Sequence, residues 1–100
     1  MIIYNVTINI DQSVHDEWLK WMKEVHIPEV MRTGFFVENR ILKVLNEVDN
    51  GKTYSIQYTC ENMDDFKKYE EQFASALRIE HNEKYKDKFV AFRTLLEIVG

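Results

Sequence analysis

One cysteine, one proline and three glycines are all that 100 residues contain of those types, and each scarcity removes a class of structure. The lone Cys60 forbids an internal disulfide and any paired-cysteine motif; within an apolar strand it reads as a small buried hydrophobe. So little proline and glycine leave no room for a flexible linker or a low-complexity region. No run approaches the roughly 18 apolar residues of a membrane-spanning helix. The opening Met1-Ile2-Ile3-Tyr4 has neither the basic segment nor the long apolar stretch of a secretory leader. A soluble, cytoplasmic protein is the expectation, with no membrane partner. Cations are not in surplus either: the net charge of −4 argues against a sequence-independent grip on nucleic acid, which rests on Lys and Arg neutralising phosphates. There is no glycine-rich phosphate loop, no nucleophile elbow, and no glycine between the first strand and helix to line an anion cradle. His15, His26, His81 and Cys60 show no ligand spacing. No metal and no cofactor is expected.

What is present suffices for one packed domain over residues 1–100: 45% hydrophobic residues, with 13% aromatic. Ile2 to Ile10 alternates β-branched and apolar residues with Asn5, Thr7 and Asn9, the period of a strand with one greasy and one polar face. Ser13 reads as the N-cap of a first helix with Asp16 and Glu17 in its first turn. Its apolar stripe is Val14, Trp18, Trp21 and Val25, widened by Leu19 and Met22. Pro28 interrupts the helix after His26 and opens a further short turn, and Gly34 stands where a helix C′ residue belongs.

Phe35 to Asp49 and Lys52 to Cys60 read as two strands joined at Asn50-Gly51, the dipeptide of a two-residue hairpin turn. That turn sets Leu42 opposite Thr59 and Asp49 opposite Lys52. One face then carries Val37, Ile41, Leu45, Tyr54, Ile56, Tyr58 and Cys60; the other carries Phe36, Glu38, Arg40, Leu42, Val44, Ser55, Gln57 and Thr59. Asn62 caps a second helix with the stripe Phe66, Tyr69, Phe73, Ala76 and Leu77, fading by Glu80 to Glu83. Residues 83–88 read as a solvated connection. Phe89 to Val99 is a last strand, apolar on both faces, whose orientation and possible exchange with a partner the pattern leaves open.

The order β-α-β-β-α-β predicts a ferredoxin-like α+β domain: an antiparallel sheet with its helices on one face, the third strand between first and second, the fourth beside the first. The bare face mixes Phe36, Leu42 and Val44 with a polar middle, so two copies packed face to face as a homodimer would bury the rim and enclose a cleft. The arrangement resembles the dimeric α/β-barrel superfamily, which includes cofactor-independent oxygenases. More narrowly, Asn5-Val6-Thr7 and His26-Ile27-Pro28 resemble a bacterial family of about this length known only as a domain of unknown function, and the likeness spans the chain. That family implies the barrel fold but no activity. The oxygenases imply roles for a first-strand Asn, a Trp and a His, here Asn5, Trp18 or Trp21, and His26, although both tryptophans sit on the sheet-facing stripe.

Three functions follow as expectations. The first is a small-molecule carrier or sensor whose ligand lies between the two sheets, touching Asn5, Thr7, Gln57, Arg40 and Glu38. The second is a cofactor-independent, oxygenase-like enzyme in that same cavity, with His26 and Arg40 as the candidate catalytic residues. Tyr4, Tyr54 and Tyr58 are excluded from its chemistry because they face the helices. The third is an RNA-recognition-type domain, disfavoured because Ser55, Gln57 and Thr59 stand where stacking aromatics belong.

Overall fold

The computed structural model describes residues 1–46 and 50–100 of the chain. Four strands, β1 (Ile2–Ile10), β2 (Glu38–Lys43), β3 (Lys52–Cys60) and β4 (Phe89–Glu97), form one antiparallel sheet in the order β2-β3-β1-β4. This is the ferredoxin-like α+β arrangement. Two helical arms cover one face. The first runs through α1 (His15–Trp21), a π-helical turn (Met22–His26) and α2 (Ile27–Arg32). The second runs through α3 (Met63–Tyr69), a π-helical turn (Glu70–Ala74) and α4 (Ser75–Lys84). Tyr4, Ile8, Ile56 and Tyr58 from the sheet and Trp18, Met22, Phe66 and Tyr69 from the arms meet in the core between them. No helix of the described residues is long and apolar enough to cross a membrane.

The proline does not break the first arm. Its missing N–H would leave a gap in a regular helix, and the π-helical turn absorbs it: the N–H of Ile27 reaches back five residues to the carbonyl of Met22. The extra residue rotates the buried stripe, so Ile27 and Val30 are buried while Val25 is exposed. The second arm is rotated likewise. Ala74, His81 and Tyr85 are buried, whereas Phe73 is 38% exposed. The arm therefore does not fade at Glu80, and Tyr85, expected in a solvated connection, is part of the core.

Local signals divide between kept and corrected. Asn62 accepts from the N–H of Asp65 at 2.9 Å, and Gly34 follows the first arm with φ of 85°, as their residue types require. Ser13 is not the cap: Asp11 Oδ1 accepts from the Ser13 N–H at 2.8 Å and from its hydroxyl at 2.6 Å.

The hairpin register differs from the expected one by four residues. Leu42 pairs with Ser55, Arg40 with Gln57 and Glu38 with Thr59. Four is even, so the paired side chains from Glu38 to Lys43 keep their faces. The expected Asp49–Lys52 pairing lies outside the described residues. Gly51 does hold a left-handed φ of 88°, but for a different reason. A Cβ there would stand 2.6 Å from the carbonyl oxygen of Ile10, so the end of β1, rather than a two-residue turn, demands glycine. Phe36 and Val37 also exchange places, because the strand starts only at Glu38. Phe36 packs edge-on against Tyr69 at 4.8 Å in the core, and Val37 is exposed. β4 pairs with β1 of its own chain, setting Ala91 beside Ile8 and Arg93 beside Val6 on the covered face.

Candidate functional site

Between the sheet and the arms lies a partly enclosed cavity of about 40 Å³, bounded by Tyr4, Tyr58 and Arg93 from the sheet and His26, Arg78 and His81 from the arms. At roughly 10–15 Å³ for one water, it has room for a few waters or for a small polar group.

The π-helical turns bring the arm residues to it. Five residues on a regular helix point in different directions, but one inserted residue makes a five-residue step behave like four. Trp21 and His26 accordingly stack, with ring centroids 5.0 Å apart. In the second arm, eight residues would be about 80° out of line on a regular helix. With the insertion they fall on one stripe, and Arg78 reaches Glu70 through Nη1 at 3.1 Å and Nη2 at 3.0 Å.

Arg78 Nη2 also donates to the Tyr4 hydroxyl at 3.0 Å, and Arg93 Nε donates to the same oxygen at 3.1 Å. Two guanidinium groups thus converge on one phenol. Arg78 is neutralised by Glu70; among the described residues no carboxylate pairs with Arg93. Burial, and then the charge of Arg93, lowers His26 from 6.5 to about 4. Burial, then His26 and Arg93, lowers His81 likewise to about 4. Both imidazoles are therefore neutral near pH 7. His81 Nε2 accepts from the Trp18 indole at 3.0 Å, which puts its proton on Nδ1. His26 Nδ1 is buried without a hydrogen-bond partner. Burial raises Tyr58 and Tyr69, keeping both phenols protonated.

Of the residues singled out from the sequence, only His26 lines this cavity. Asn5, Thr7 and Gln57 lie together on the open face: Asn5 Nδ2 donates to Thr7 Oγ1 at 3.1 Å, and Ser55 donates to Asn5 Oδ1 at 2.5 Å. Gln57 Nε2 reaches Ser55 Oγ at 3.4 Å. Both ends of the Asn5 amide are thus satisfied by neighbours. Glu38 and Arg40 are exposed on β2 and form no ion pair with each other. Tyr4 and Tyr58 do face the helices, as expected, and there they line the cavity described above. Arg78, His81 and Arg93 were missed as site residues, and Tyr4 was set aside. Arg93 had a signal, a cation alternating with Phe89 and Ala91 on the covered side of a strand. His81 and Tyr85 join the second stripe once a five-residue step is allowed.

A ferredoxin-like sheet with a polar cavity beneath its helices defines the class. Within it, a family model described as "Domain of unknown function (DUF4286)" matches residues 1–99, and the chain belongs to that family. No curated protein matches the sequence. Solved structures share the fold at low identity. HapK from Hahella chejuensis is 11% identical, with a TM-score of 0.73 over 100% of this chain and 94% of that one. A dimeric ferredoxin-like protein from an uncultured marine organism is 17% identical, with a TM-score of 0.73 over 100% and 96%. A mutant of SnoaB, a cofactor-independent oxygenase from Streptomyces nogalater, is 14% identical, with a TM-score of 0.67 over 97% and 92%.

Proposed function

We propose that the protein is a homodimer that binds a small organic molecule in the cavity beneath its helices. The observation that carries this reading is the set of polar groups around one small cavity, including His26 Nδ1, buried and without a partner. A buried polar group left alone costs about 1–3 kcal/mol, so such a site is best accounted for by something that fills it. The dimer is supported by the open face, where Val90 is 71% and Phe92 62% exposed, with Leu42 and Leu96 beside the polar middle. Two fold neighbours are described as dimeric ferredoxin-like proteins.

A carrier or sensor needs nothing more. A cofactor-independent enzyme is the second reading, favoured by His26 itself. Its buried nitrogen without a partner can take a proton from a bound substrate. Burial and the Arg93 charge make it a weak base until an anion offsets that charge, and donors around Tyr4 stand where an oxyanion would form. Proton abstraction beside a carbonyl is the reaction class that fits.

Native mass spectrometry tests the first reading. The expected result is a dimer carrying added mass that is lost in Ala91→Leu, which fills the cavity, and kept in Asn5→Ala. Loss in Asn5→Ala alone would put the ligand between the sheets instead. A monomer with no added mass would overturn the proposal.

A further inference from the structure

The groups around the cavity have too many donors for their acceptors. The Tyr4 hydroxyl accepts from both Arg78 and Arg93, which occupies its lone pairs and leaves its own O–H to donate. No acceptor for that proton is found among the described residues. Arg78 Nε–H is buried and has no partner either. Arg93 spends only Nε on Tyr4, so the two terminal nitrogens of its fork make no hydrogen bond or ion pair among the described residues. Glu97, on the covered side of the same strand by its pairing with Ile2, does not pair with Arg93. The acceptors that do reach this cluster, Glu70 and Tyr4, are already engaged.

Arg93 is exposed, so its free fork is open to solvent at the cavity mouth. Together with the buried, unpartnered Arg78 Nε–H and the Tyr4 O–H, it suits a ligand that is anionic and offers only acceptors. A carboxylate has that chemistry, and its flat two-oxygen edge matches the free side of a guanidinium. The size agrees: about 40 Å³ has room for a carboxylate and a carbon or two, not for a whole ring. We infer that the cavity receives the carboxylate end of an organic acid, held by Arg93 and by the Tyr4 O–H, with any larger body extending out through the cavity mouth. The inference rests on the small-molecule reading above and names its ligand class. His26 and His81 are lowered first by burial and then in part by the Arg93 charge, and it is this second part that a bound anion would relieve.

The test is an NMR titration of the intact protein with sodium acetate and with acetamide, its neutral isostere, at constant ionic strength. The signals followed are Arg93 Nε–H and the imidazoles of His26 and His81. Acetate is expected to move them saturably and acetamide to leave them in place. Arg93→Gln should weaken acetate binding about tenfold or more. Tyr4→Phe, which keeps the ring in the core and removes only the donor, should weaken it by a smaller factor. Equal binding of both probes, or acetate binding unaffected by either substitution, would overturn the carboxylate assignment while leaving a small-molecule cavity standing. If neither probe moves any cavity signal, the small-molecule reading falls with it.

Discussion

The Trp18 indole donates to His81 Nε2 at 3.0 Å, joining the two helical arms across 63 residues of sequence. Trp18 is fully buried and His81 5% exposed, so water cannot replace the bond. Trp18→Phe should lower stability by about 2–4 kcal/mol, combining an unsatisfied imidazole nitrogen with the lost volume. A urea midpoint that falls with an unchanged slope is the expected record; an unchanged midpoint would remove this bond from the account of the fold.

The same imidazoles set a dependence on acid. His26 and His81 are neutral in the folded protein, with values near 4, and the unfolded chain takes up protons below about 6.5. The unfolded state thus binds more protons between those values. Stability is whole above pH 6.5 and drains as pH falls toward 4, by on the order of 3 kcal/mol for each imidazole at most. Carboxylates titrate in part of the same window, so the comparison is with His81→Gln. Its urea midpoint should fall less steeply between pH 7 and 4; parallel curves would contradict the assignment.

Two glycines share a left-handed conformation but not a neighbourhood. At Gly34, with φ of 85°, nothing lies within 4 Å of the point where a Cβ would stand, whereas at Gly51 that point lies 2.6 Å from the Ile10 carbonyl oxygen. Gly34→Ala should cost about 1 kcal/mol, from the strained conformation alone. Gly51→Ala adds a backbone collision and should cost about 2 kcal/mol more. Thermal melts of the two variants check the order, and a reversal would contradict it.

Phe92, 62% exposed on the open face, lies beside Thr7 on that face. Placing a carboxylate there, as in Phe92→Glu, should split the proposed homodimer without unfolding the chain, because the side chain is outside the core. Sedimentation velocity should show a single-chain species with an unchanged far-UV spectrum. A variant that sediments as wild type would mean that this face is not the contact.

The strand order and the division of the sheet into two faces were legible because period-two alternation survives any even slip. The hairpin could therefore be misplaced by four residues while Ile41 and Ile56 still shared the covered side, and Arg40 and Gln57 the other. The helices were less forgiving. A single inserted residue rotates everything that follows it, so Val25 and Phe73 were assigned to the core and Ile27, Ala74 and His81 were not. The cavity stayed hidden for a related reason. Tyr4, Arg78 and Arg93 come from three separate elements, and no local pattern announces that a buried phenol will gather two distant cations.

The two π-helical turns also say how this chain must be compared with its kin. Each arm is an ordinary helix made one residue longer in the middle. An alignment that refuses gaps inside helices, set against a relative without the insertion, would slip by one beyond Ala74. It would put Glu80 where His81 belongs and Lys84 where Tyr85 belongs. The histidine of the second arm would then look like a peculiarity of one sequence, when the question to ask of each relative is whether it keeps the extra residue and the imidazole together.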